Sequence, residues 1–256
     1  MPDSMVHSLL SGHAMRAKAR ANLMVWASVQ FVVLTVIGML VYPGGSRNDH
    51  RVDHYVFLAN FFSDLGATRT QSGAGNALAC VLFVIALGSV GVALVNFSTA
   101  WRFLTGGVST HNRVGIGSQV MATLAGLCFI GIAVTPHNLQ PDLHLRFVKS
   151  AFLLLLGFIA PFTYLLHAFR WPRRDVWIGT AYVVGLVAYV VNLFFGPSVR
   201  TPFGFSFQVV TQKMFVYYSV ATVAVLALSV KRQAAAHFAQ QARERRATPG
   251  KLEQVA

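Results

Sequence analysis

Six stretches of this chain run for about twenty residues with almost no charge: 22–42, 76–97, 114–135, 147–168, 176–195 and 213–230. A helix needs roughly 17–25 apolar residues to cross the hydrocarbon core of a bilayer. Inside that core the backbone has no water to bond, so each run must close its own hydrogen bonds as helix. The composition agrees. Only 11% of the 256 residues are charged and 55% are hydrophobic, against roughly 25% charged in an average soluble domain. The expected fold is therefore all-α, a polytopic bundle of six transmembrane helices. It divides into an N-terminal segment 1–21, a transmembrane domain 22–230 and a basic tail 231–256. No internal repeat relates the two halves, which weighs against an inverted-repeat carrier.

Lysine and arginine outnumber aspartate and glutamate by 21 to 8, a net charge of +13. Basic residues collect on the cytoplasmic side of membrane proteins. One side of the bundle carries 14 of them and the other 7, which predicts that both termini are cytoplasmic. Trp26, Trp101, Trp171 and Trp177 all fall at that side's span ends, where indoles favour the headgroup level. Nucleic-acid binding is not expected, because no basic face of a folded module is visible. The first run, with its long polar lead-in and full span length, reads as a retained anchor rather than a cleavable signal. The tail reads as a helical extension beside anionic headgroups.

All eight acidic residues lie outside the six runs. Ion-coupled carriers and proton pumps place carboxylates at membrane depth, so those classes are disfavoured. A b-type haem needs two facing axial ligands, and His167, beside the interface, is the only histidine well inside a run. Polar residues within the runs, such as Ser118, Thr163 and Asn192, read as bonds between helices. Cys80 and Cys128 read as a pair of buried free thiols, with a bond between them geometrically possible and no metal-type spacing.

Chemistry concentrates in the outer loops. The first holds His50, Asp53, His54, Asn60, Ser63 and Asp64; the second holds His137, Asp142 and His144. A short interfacial helix is expected in the first loop. If 50–64 is helical, His50, Asp53, His54, Asn60 and Asp64 share one stripe. Imidazole with carboxylate is a ligand set for zinc or a similar divalent ion, and equally a general base with an orienting acid. Candidate metal ligands are His54, His137 and His144, and candidate catalytic residues are Ser63 and Asp64. Asn60, Asn76 and Asp142 are the expected pocket-lining groups. The third outer loop, 197–213, alternates Phe203, Phe205 and Phe207 and reads as an interfacial loop or a lid over the polar cluster.

Tyr42-Pro43-Gly44-Gly45, Asn60-Phe61-Phe62-Ser63-Asp64-Leu65-Gly66, Asn76, and Gly131 to Pro136 followed by Pro141 and His144 resemble one bacterial family. This is the domain-of-unknown-function family 998, akin to DRAM and Frag type proteins. The resemblance covers roughly residues 22–230, and its most specific piece is Asn-Phe-x-Ser-Asp-Leu-Gly. It implies a multi-pass protein of the bacterial plasma (inner) membrane, with some relatives linked to lipid handling. Ser63, Asp64, His54, His137 and His144 also resemble, by residue type, the metal set of ceramidase-like membrane hydrolases. Those enzymes place a further His pair near the final span, which 197–213 lacks. The function expected is lipid binding or organisation through a polar extracytoplasmic pocket, with membrane lipid as partner. A metal-dependent lipid hydrolase is the alternative.

Overall fold

In a computed structural model the chain is all-helical, and the structure describes residues 3–105 and 111–247. The expected tail charges Lys251 and Glu253 lie outside the described residues. Among the described residues seven α-helices form: α1 (Asp3–Leu40), α2 (Ala77–Phe97), the short α3 (Trp101–Leu104), α4 (Asn112–Val134), α5 (Pro141–Ala168), α6 (Arg173–Phe195) and α7 (Pro202–Ala247). Among the described residues six helices are long and apolar enough to cross a membrane, and they cover the six apolar runs to within two residues at either end. The protein is a multi-pass membrane protein. At 46 residues, α7 is about 69 Å long, more than twice the hydrocarbon thickness of ~30 Å. It must therefore extend beyond the bilayer.

The main helices pack as a ring in the order α1, α2, α4, α5, α6, α7 and back to α1. Outward faces carry large apolar groups such as Val33, Val81, Leu127, Leu153 and Val191. In water those would be a liability; in lipid they are the solvated surface. Attraction between spans comes from close packing and interhelical hydrogen bonds. At the α2–α4 crossing two glycines meet: a Cβ on Gly91 would stand 2.6 Å from the carbonyl oxygen of Gly126, and the reverse is equally true. Ser118 Oγ donates to the Phe158 carbonyl at 3.1 Å, joining α4 to α5. Asn192 and Gln208 exchange two amide hydrogen bonds, each 3.1 Å, between α6 and α7. Between α5 and α7 the rings of Phe152, Tyr189 and Phe215 fill the gap, with Tyr189 and Phe215 stacked at 4.4 Å. Cys80 and Cys128 are free thiols.

Four sequence expectations change. The segment 197–213 is not a loop throughout, because α7 begins at Pro202. Thr201 Oγ1 accepts the Gly204 N–H at 3.1 Å, and a capping threonine followed by proline starts a helix. Phe205 is consequently buried, while Phe203 and Phe207 stay exposed. Trp101 does not face outward: it is buried, with Nε1 donating to Gln119 at 3.1 Å. The helices also reach past the apolar runs, so Asp142 and Asp175 sit in the first turns of α5 and α6. Asp175 is buried and accepts a hydrogen bond from Ser229.

The fourth change concerns 50–64, which forms turns rather than a helix; only Phe62–Gly66 is helical, as a 3-10 turn. Local side-chain bonds outcompete the helix there. Asn60 Oδ1 takes the Val56 N–H at 2.9 Å, and Asp64 Oδ2 takes the Phe61 N–H at 3.0 Å. The stripe of His50, Asp53, His54, Asn60 and Asp64 therefore does not form.

Candidate functional site

The 3-10 turn closes one end of the ring. Phe62 stacks on Phe31 at 5.6 Å and meets Tyr217 edge-on at 5.5 Å, and its N–H donates to Gln212 Oε1 at 2.8 Å. Two glycines let the preceding chain double back. Gly44 and Gly45 have φ of +103° and +87°, a region open to glycine and costly for other residues. Gly45 then donates to the Val52 carbonyl at 2.7 Å.

Beneath this loop lies a buried polar cluster. Asn60, with 0% of its surface exposed, donates to the Gly45 carbonyl and to Asp64 Oδ2, each at 3.0 Å. The other Asp64 oxygen stands 3.3 Å from His137 Nε2. Lys213, also fully buried, comes from α7 and donates its ammonium to the Asn60 carbonyl. Its Nζ lies 5.5 Å above Tyr55 and 5.1 Å above Phe57, which is cation–π distance. Burial pushes the Asp64 carboxyl above the usual range; the nearby His137, the Asn60 and Phe61 hydrogen bonds and Lys213 oppose that shift. Burial, reinforced by the Asp64 charge, also raises the Tyr42 and Tyr55 phenols.

His137 Nδ1 faces the Ser63 carbonyl at 3.1 Å while Nε2 faces Asp64. Both ring nitrogens thus meet acceptors. A neutral imidazole has one N–H, so His137 donates to Ser63 or to Asp64 according to its tautomer. His144 is held differently. Its Nδ1 donates to the Thr135 carbonyl at 2.7 Å and its ring lies edge-on to His137 at 5.9 Å. That bond leaves His144 Nε2 as a lone-pair acceptor.

Asn76 ties the end of the loop to α2. Its amide reaches the carbonyls of Asp64, Leu65 and Ala67 at 3.3, 3.1 and 2.8 Å. Asn76→Leu strands these buried carbonyls and is expected to cost about 1–3 kcal/mol, read as a lower midpoint in SDS-titration unfolding.

The sequence-predicted residues therefore separate into groups. Asp64, Asn60 and His137 meet, and His144 adjoins through His137. His54 does not join them: it is exposed and pairs with exposed Asp53 at 2.9 Å. Among the described residues no three His, Cys, Asp or Glu side chains converge to hold a metal ion. Ser63 Oγ has no hydrogen-bond partner there and so is not paired with a base as a nucleophile needs. Asp142 is exposed. Lys213 and Gln212 are the residues that sequence reasoning passed over. A lone lysine between Val210 and Val216 in an otherwise uncharged run was the available signal, since a buried cation needs a partner.

Directly below the 3-10 turn a narrow cavity enters the ring. Phe83, Leu87, Val90 and Leu94 of α2, His144, Val148, Phe152 and Leu155 of α5, and Gln212, Val216, Val220 and Val223 of α7 line it. Each set follows one helical stripe of twelve residues, about 16 Å along the axis. Phe31 and Met24 of α1 continue the wall. Polar groups gather at the loop end: Ser63, His144 and Gln212. Asn60, Asn76 and Asp142 are not among the lining residues. The space open to the centre of a water-sized sphere is about 80 Å³, several times the ~10–15 Å³ one water needs. That suits one slender chain and not a ring system.

No protein-family model, curated protein or solved structure matches this chain.

Proposed function

We propose that this membrane protein binds lipid by taking one hydrocarbon chain into the slot, with the polar end of the lipid held at the loop-side mouth. The observation that carries this reading is the slot itself. Its walls are apolar over ~16 Å apart from Ser219, whose hydroxyl donates to the Phe215 carbonyl at 2.7 Å, and its other polar groups gather at one end. Ligand sites have this form: apolar walls with a few placed polar groups. At the mouth Gln212 uses its carbonyl on Phe62, leaving its amide to donate. His144 offers an acceptor and Ser63 a hydroxyl. A lipid carbonyl or hydroxyl finds both kinds of partner there. In this reading the Asp64–His137–Lys213 cluster holds the mouth in shape rather than reacting. The loop motif that resembles family 998 is the segment that builds the mouth, and membership of that family and residence in a bacterial inner membrane belong to the same proposal.

Val90→Phe fills the slot at mid-depth and should leave the fold intact. Displacing about three methylenes at ~0.8 kcal/mol each lowers occupancy by more than tenfold. Native mass spectrometry of the purified protein reads this directly. Wild-type protein free of any single-chain adduct, or a variant that keeps the same adduct, defeats the proposal.

A further inference from the structure

A second cavity lies at the opposite end of the ring, where α5 turns into α6. It is lined by His167, Arg170, Arg173, Trp171, Trp177 and Thr163, among others. No carboxylate lines it. Among the described residues neither Arg170 nor Arg173 has an acidic partner, and the nearest acid in sequence, Asp175, is buried and turned toward Ser229.

Two features of the turn point the same way. The Trp171 N–H bonds the Leu166 carbonyl at 2.9 Å and the Arg170 N–H bonds that of His167 at 3.1 Å. That is a Schellman ending, whose left-handed position favours glycine; Arg170 occupies it, with φ of +53°. Next, Pro172 precedes α6 and gives it no side-chain cap, so the positive dipole end of α6 faces the same turn, with Asp175 the one acid of its first turn. Thr163 Oγ1 does not face the cavity: it is buried without a hydrogen-bond partner against Gly179 of α6.

We propose that this cavity binds the phosphate of an anionic phospholipid, clamped by Arg170 and Arg173, with Trp171 and Trp177 at the headgroup level. Guanidinium groups recognise phosphate by paired charge-assisted hydrogen bonds, and basic pockets between transmembrane helices bind anionic headgroups. The site is far from the slot and does not depend on it. The strained arginine is explained by this role: a turn selected for stability alone would carry glycine there.

The test uses delipidated full-length protein in detergent, titrated with phosphatidylglycerol, phosphatidylcholine or inorganic phosphate and read by native mass spectrometry. The protein is expected to favour phosphatidylglycerol. The double variant Arg170→Gly, Arg173→Gln should weaken that binding about thirtyfold, at one surface-adjacent basic residue's contribution each. Arg170→Gly relieves the left-handed backbone, so the fold is expected to melt no lower than wild type. Arg16→Gln with Lys18→Gln should leave it unchanged. Equal phosphatidylglycerol binding by the double variant overturns the proposal. So does an equal loss in the Arg16 and Lys18 control, which would indicate diffuse surface charge. Inorganic phosphate that binds as well and displaces the lipid, or phosphatidylcholine that binds equally, overturns the assignment to an anionic lipid.

Discussion

Replacing Lys213 with alanine is expected to cost about 3–5 kcal/mol of stability, the usual penalty for removing one member of a buried charged group. The ammonium sits in a fully buried position, bonded to the Asn60 carbonyl and flanked by two aromatic rings. Its removal takes from Asp64 a nearby positive charge, in a site whose burial already disfavours the carboxylate. The double variant Lys213→Met, Asp64→Asn should recover most of the loss, because replacing both charges avoids the orphaned one. SDS-titration unfolding measures both. If Lys213→Ala unfolds within about 0.5 kcal/mol of wild type, a range typical of uninvolved surface changes, the cluster does not hold the mouth together.

The second large effect is expected at the α2–α4 crossing. A Cβ at Gly126 stands 2.6 Å from the Gly91 carbonyl oxygen and 2.7 Å from Val95 Cγ2. The first obstacle is backbone, which cannot rotate away, so the helices must separate. Gly126→Val is expected to cost about 1–3 kcal/mol or more. It should also reduce lipid retention, because α2 and α4 both wall the slot. Gly117→Ala on the same helix is the control. Nothing lies within 4 Å of its Cβ position, and alanine favours helix by up to ~1 kcal/mol, so its midpoint should hold or rise. Equal destabilisation by both substitutions would show that helix propensity, not the crossing, governs α4.

Some of the site was legible before the fold was known. Asn60, Asp64, His137 and His144 were singled out by residue type and by their place in the outer loops. Asp64 and His137 touch, and His144 packs on His137. His54 was grouped with them on the assumption of a helix over 50–64. It lies apart because Asn60 and Asp64 spend their side chains on nearby N–H groups and keep that segment in turns. The start of α7 carried a readable signal in Thr201-Pro202, but the aromatic alternation over 203–207 suggested a loop at the membrane surface.

The sequence by itself determined the all-helical, six-span architecture. Span length, the absence of charge and the need to satisfy every backbone group in lipid are local properties of each run. Only the tertiary structure decided that Lys213 lies inside the loop cluster, 153 residues along the chain from the Asn60 carbonyl it bonds. It likewise decided that stripes on five helices leave an axial slot between them. An apolar stripe reads the same whether it packs against a neighbour, faces lipid or borders an empty channel, so burial pattern alone does not distinguish these. The choice is made by how far the ring stays open, and that depends on the glycine crossings and aromatic spacers that set each helix against the next.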